Sequence, residues 1–201
     1  MKIFALFIML SFHQLLFGQD TLRALFIGNS YMGVNNLPQM VQDLSNSLGD
    51  VLIYDSNTPG GQTFQMHASN PINYQKMAEQ PWDYIILQGQ SQEPSFPFAQ
   101  VNSQTLPYAL QLADSAKAIQ PCSQVNYFMT WGRQNGDPQW DSINTFDKMN
   151  ARLRDAYCAL PILPTQRFLR LASLGNTSGI ITQQSICISK TAHIQVSKAP
   201  I

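Results

Sequence analysis

Ser30 closes a Gly28-Asn29-Ser30 turn directly after an apolar run, Leu22 to Ile27. A serine at the end of a buried strand can present its hydroxyl at the sheet edge, although a serine there is also an ordinary helix N-cap. The other strand ends weigh on that choice. Acyl transfer takes a nucleophile and N–H donors aimed where the oxyanion forms. Gly61, within Pro59-Gly60-Gly61-Gln62-Thr63, offers a backbone N–H that no side chain obstructs. Gln88 or Gln90, within Gln88-Gly89-Gln90-Ser91, offers a side-chain amide. A fourth cluster, Thr130-Trp131-Gly132-Arg133, can shape a substrate rim or bind an anionic or sugar group. It reads equally well as an exposed loop held by Gly136, Asp137 and Pro138.

Strands alternating with helices must carry these clusters. Leu22 to Ile27, Val51 to Tyr54, Tyr84 to Leu87 and Val125 to Met129 read as strands. The apolar Tyr-Ile-Ile-Leu run implies burial on both faces. Leu37 to Leu48 has helical spacing, with Pro38 in its first turn and Gly49 past its end. Helical stretches follow within Gln62 to Gln80, broken around Asn70-Pro71, over Phe98 to Ile119 as one helix or two, and from Asp141 to Tyr157. This alternation predicts an α/β fold: three layers, a mostly parallel sheet with helices on both faces. In such a sheet the chemistry gathers at the carboxyl ends of the strands, where all four clusters fall.

These residues resemble the SGNH, or GDSL-like, hydrolase superfamily of esterases and lipases. Phe26-Ile27-Gly28-Asn29-Ser30 looks like its first block, in which the serine is the nucleophile. Gly61-Gln62-Thr63 is similar to the second, whose glycine gives an oxyanion-hole N–H. Asp83 through Ser91 resembles the third, in which an Asn side chain usually completes the hole. No Asn stands there; Gln88-Gly89-Gln90-Ser91 looks like the Gln-Gly-Glu-Ser variant of carbohydrate O-acetylesterase branches. The resemblance implies a flavodoxin-like SGNH architecture, with Ser30 attacking an O-acyl ester and the Ser30 and Gly61 N–H groups holding the oxyanion. It favours Gln88 as the third donor, with Gln90 as rival. It calls for no cofactor.

The resemblance covers roughly residues 21–157 and then stops. The family's last block, Asp-x-x-His, supplies the general base and the acid that orients it. Here all 12 Asp and Glu lie at or before Asp155, and His193 is the tail's one histidine. The 158–201 tail loses the strand-helix pattern and is rich in Ser, Ile, Gln and Thr. Shifting the reading frame changes the picture. The third base of each codon, joined to the next two, lets Lys190 to Val196 encode Asp-Gly-Ser-His-Pro-Ser. A frameshift between about Tyr157 and Arg170, in the gene or in its reading, accounts for the missing block. As written, the chain has no evident base and weak or no esterase activity is expected. His67 is a weak substitute, more simply read as a surface or helix-capping residue.

The remaining features bound the answer. With 201 residues, 12 Lys+Arg and 12 Asp+Glu, the chain has zero formal net charge, which argues against a nucleic-acid partner. Charged residues make up 12%, about half of an ordinary domain's share. Lys2 followed by an apolar stretch to Phe17 and small Gly18 reads as a signal peptide over 1–18. That implies a periplasmic or secreted protein with no stable membrane span after cleavage. His13 falls within it. Cys122, Cys158 and Cys187 form neither a disulfide framework nor a metal pair. No metal site stands out, and Gly60-Gly61 lacks the lysine of a phosphate loop. Glu93-Pro94 with Phe96 and Phe98 reads as a pocket wall or as helix-entry packing, and Asp83 as a turn or cap.

The expected partner is a small-molecule or carbohydrate ester. The alternative is a non-catalytic carbohydrate- or ligand-binding domain on the same scaffold; a nucleotide binder would need a phosphate loop that is absent. Resequencing the coding DNA from Asp155 through Lys198 tests the frameshift. A corrected frame should spell Asp-x-x-His; an intact frame without it overturns the reading.

Overall fold

The computed structural model describes residues 21–160 and 167–169. The expected signal peptide over 1–18 lies outside them, as does the tail beyond Leu160, with His193, apart from 167–169. Five parallel strands form one sheet in the order β2-β1-β3-β4-β5. They are β1 (Thr21–Ile27), β2 (Val51–Asn57), β3 (Tyr84–Leu87), β4 (Gln124–Phe128) and β5 (Arg167–Leu169). Helices connect them: α1 (Ser30–Gly33) and α2 (Leu37–Ser47) after β1, then α3 (Phe64–Ala68) and α4 (Pro71–Glu79) after β2. A 3-10 turn (Glu93–Ser95), α5 (Phe98–Gln104) and α6 (Leu106–Ile119) follow β3, and α7 (Phe146–Ala159) follows β4.

The period-two alternation of the strands sorts their side chains into two cores. Leu25, Ile27, Ile85, Leu87, Val125 and Tyr127 pack with Phe64, Met77, Leu112 and Tyr157 from α3, α4, α6 and α7. Ala24, Phe26, Leu52, Ile86 and Phe128 face the other way, onto Met32, Leu37 and Val41 of α1 and α2. Both faces are therefore covered, as near-continuous apolar strands require. Among the described residues no helix is long and apolar enough to cross a membrane.

Strand order and register together place the site. Ile27 is paired with Asn57 on one side and Leu87 on the other, and Leu87 with Tyr127, so these strands end nearly level. From β1 the chain crosses to β2 on one flank, then returns past β1 to β3 on the other. Loops leaving β1 and β3 thus diverge, opening a crevice at their carboxyl ends.

The expected elements are present with shifted ends. The Gln62 to Gln80 stretch is broken at Asn70, whose side chain caps α4 by accepting from Ile72 N (3.0 Å), with Pro71 at its first position. Phe98 to Ile119 is two helices. The last helix begins at Phe146 rather than Asp141 because the Thr145 hydroxyl caps it, accepting from Lys148 N (3.3 Å). One strand was not expected: Arg167–Leu169 pairs parallel with β4 through Asn126, Tyr127 and Phe128. A run of three residues is too short to show period-two patterning.

Candidate active site

Ser30 is half-buried at the first position of α1, in the crevice between β1 and β3. Asn29, immediately before it, is 2% exposed and holds the surroundings together. Its Oδ1 accepts from Tyr31 N (3.0 Å) and Gln88 Nε2 (2.8 Å). Its Nδ2 donates to Gln62 O (3.1 Å) and Gly89 O (2.9 Å). A carboxamide has two donor hydrogens and two acceptor lone pairs, and all four are used. One side chain thus joins the loops after β1, β2 and β3.

Gln88 is fully buried and completes the clamp from the other side. Its Oε1 accepts from Asn29 N (3.0 Å), while its Nε2 donates to Asn29 Oδ1 and to Gly89 O (2.5 Å). Both amide hydrogens are therefore engaged inside the protein, leaving none for a ligand. Gln88 also explains Gly28: a Cβ there would meet Gln88 Oε1 and Met32 Sδ at 2.6 Å each.

Gln90 is placed differently. Its Oε1 accepts from Gln92 N (2.6 Å) and Glu93 N (2.7 Å), the N–H groups that open the 3-10 turn. The carboxamide is held by its oxygen, and Nε2 has no protein partner among the described residues. Gly61 is exposed, with φ +73°, a left-handed conformation that favours glycine. Neither its N–H nor that of Ser30 makes a hydrogen bond within the described protein.

His67 is neither on the surface nor a helix cap; it is 0% exposed beneath the Ser30 turn. Asn73 Nδ2 lies 3.1 Å from His67 Nδ1 and donates to His67 O (2.9 Å). Asn57 Nδ2 donates in turn to Asn73 Oδ1 (2.6 Å). An amide donor at Nδ1 sets the neutral tautomer with its proton on Nε2, and Nε2 has no partner. Burial lowers the pKa to about 4, although the nearby Gly28 carbonyl pulls the other way. A buried imidazole whose Nδ1 already accepts from an amide has no lone pair left to take a proton from Ser30. Burial likewise raises the Glu93 carboxyl above its usual range, against the Thr105 hydroxyl, which lowers it.

The remaining candidates make the following contacts. Asp83 ties β1 to β3, its Oδ2 accepting from Arg23 N (2.7 Å). Trp131 stands against Tyr31, with ring centroids 4.7 Å apart. Phe96 and Phe98 line a cavity of about 400 Å³ with Pro94 and Ala156. Sequence reasoning missed the role of Asn29. Its signal was present in the position before Ser30, but only the register shows that the Gln62 and Gly89 carbonyls converge on it.

The sequence matches no protein-family model and no curated protein. Among solved structures, the fold is similar to a DUF4886 family protein from Bacteroides uniformis, with a TM-score of 0.57 and 20% identity. That match covers 69% of this chain and 62% of the other, so the chain spans less than two thirds of that neighbour. The lipase Lip_vut3 from goat rumen metagenome has a TM-score of 0.55 at 13% identity, over 73% of this chain and 79% of that one. What is shared at such identities is the fold, a parallel sheet with helices on both faces.

Two outcomes follow from this geometry. Asn29→Ala removes one of the two acceptors of Gln88 Nε2 and leaves Tyr31 N and Gln62 O without their side-chain partner. It should lower stability by about 2–4 kcal/mol, read from urea unfolding; a change under 0.5 kcal/mol would contradict the clamp. His67 has a folded pKa below its unfolded value of about 6.5. The unfolded chain therefore takes up a proton first as pH falls, and His67 costs stability progressively between about pH 6.5 and 4. From pH 7 to 4.5 its share of the loss is roughly 2–3 kcal/mol. Comparing unfolding of wild type and His67→Gln across that range should isolate it.

Proposed function

We propose that this chain is an exported serine ester hydrolase scaffold acting on O-acyl esters, with O-acetylated carbohydrate as the favoured class. One observation carries the reading. A half-exposed serine stands at the β1/β3 switch point, and the loops joined by Asn29 carry unpartnered N–H donors at Ser30, Gly61 and Gln90. The fold, shared with a lipase, supports it. The carbohydrate class rests on the Gln-Gly-Gln-Ser sequence alone, and export on the 1–18 segment.

In this reading Ser30 Oγ bonds to the ester carbonyl carbon while the carbonyl electron pair moves onto oxygen. The Ser30 and Gly61 N–H groups and Gln90 Nε2 receive that oxyanion. Gln90 takes the role in preference to Gln88, whose amide hydrogens are already used. Collapse breaks the bond to the alcohol, and the Ser30 proton must pass through a base to that leaving oxygen. Among the described residues no histidine is available for this, so acylation is slow. Loss of a triad member typically costs several orders of magnitude.

A neutral fluorophosphonate probe tests the reading on the full chain. Labelling should map to Ser30 and vanish in Ser30→Ala. Gln90→Ala should slow it by about 100-fold, as for loss of one oxyanion donor. Gln88→Ala should instead lower stability. An unlabelled Ser30 with retained sugar binding would favour the non-catalytic alternative. Robust turnover that disappears in Ser30→Ala would reveal another base.

A further inference from the structure

We propose that Arg133 is a specificity residue of this site, a docking point for a carboxylate carried by the ester substrate. Acetylated sugars that bear a uronic acid fit that chemistry. The inference rests on the ester hydrolase reading and adds the charge of the substrate to it.

The ion pair that holds Arg133 is lopsided. The Arg133 side chain is 42% exposed, whereas that of Asp137 is 5% exposed. Asp137 is buried and uses both oxygens: Oδ1 accepts from Gln139 N (3.1 Å), and Oδ2 from Arg133 Nη1 (3.2 Å) and Gln92 Nε2. Its carboxylate is too buried to meet a ligand and serves to anchor the guanidinium. A second anchor is Gln92, whose Oε1 accepts from Arg133 Nη2 (3.2 Å). Of five guanidinium N–H donors, two are used, and three have no protein partner among the described residues. The backbone is also tied down, Arg133 N donating to Met149 Sδ on α7 (3.4 Å).

The same anchors connect this cation to the proposed oxyanion donor. Gln92 holds Arg133 with its side chain and Gln90 Oε1 with its backbone N–H (2.6 Å). One residue therefore links the proposed oxyanion donor to the guanidinium. On the other side, Trp131 stands two residues before Arg133 and packs on Tyr31, next to Ser30. Glu93 is the nearby acid on the Gln92 loop, and its carboxyl is shifted by burial toward the neutral form. A cation held by its neighbours loses little conformational freedom on binding, and a guanidinium matches a planar carboxylate through two parallel hydrogen bonds. The half-buried Tyr31–Trp131 pair, its rings tilted 45° to each other, offers an apolar surface for the rest of the substrate.

The test is equilibrium binding to the full chain of two probes, acetylated methyl glucuronoside and its neutral counterpart, acetylated methyl glucoside. Wild type should favour the acid by about tenfold or more, the equivalent of one charge-assisted contact, and added salt should erode that ratio. In Arg133→Gln the ratio should fall to about one. Arg133→Lys keeps the charge against Asp137 and should retain only part of it, which decides the matter if the glutamine variant folds poorly. An unchanged ratio in either variant, no preference in wild type, or no binding of either probe overturns the proposal. Fluorophosphonate labelling of Ser30 separates this from the broader reading. Labelling without an acid preference removes the role of Arg133 alone, whereas an acid preference without labelling removes the hydrolase and leaves the binding site.

Discussion

The site depends on one saturated carboxamide. Asn29 uses every donor and acceptor it has, and each bond reaches a different piece of backbone or side chain around Ser30. Loops leaving neighbouring parallel strands have no reason of their own to stay together, since the crossover helices carry them apart. A buried amide with four partners overcomes this because leaving any one partner unpaired costs free energy. Gln88 repeats the arrangement from β3, its Nε2 donating to the Asn29 side chain and its Oε1 accepting from the Asn29 backbone N–H. The reciprocal pairing also assigns their orientation, since flipping either amide would set oxygen against oxygen.

That clamp separates two glutamines that look equivalent in Gln-Gly-Gln-Ser. The one nearer the strand end is part of the frame, and the one two residues later is part of the surface. Their difference lies in which end of the amide is tied. Gln88 gives both hydrogens to the protein, whereas Gln90 is held by its oxygen through two backbone N–H groups. The 3-10 turn at Glu93 thus does for Gln90 what packing does for Gln88, while leaving its nitrogen outward. The same turn, through Gln92, extends the ordered rim as far as Arg133.

Much of the scaffold was legible in the sequence because apolar alternation and breaker residues are local signals. Tyr84–Leu87 read as a buried strand, and the Asn70-Pro71 break and Pro38 start stand where the structure has them. Strand ends gathered Ser30, Gly61 and the glutamines at one rim for the same reason. What stayed hidden depends on partners distant in sequence. The bonds of Asn29 to Gln62 and Gly89 span 33 and 60 residues, and no local pattern encodes them. Burial of His67 was invisible too, because its partner Asn73 lies on a different helix and is held in turn by Asn57 at a strand end. β5 is a three-residue strand and carries too little pattern to be read.

The bonds of the clamp beside Ser30 join amides to amides and to backbone. No formal charge takes part in the clamp between Asn29, Gln88, Gln62 and Gly89. Dissolved ions screen charges and have little hold on neutral dipoles buried out of their reach. A clamp built this way keeps its shape from dilute buffer to brine, and the Ser30 turn carries the same geometry across that range.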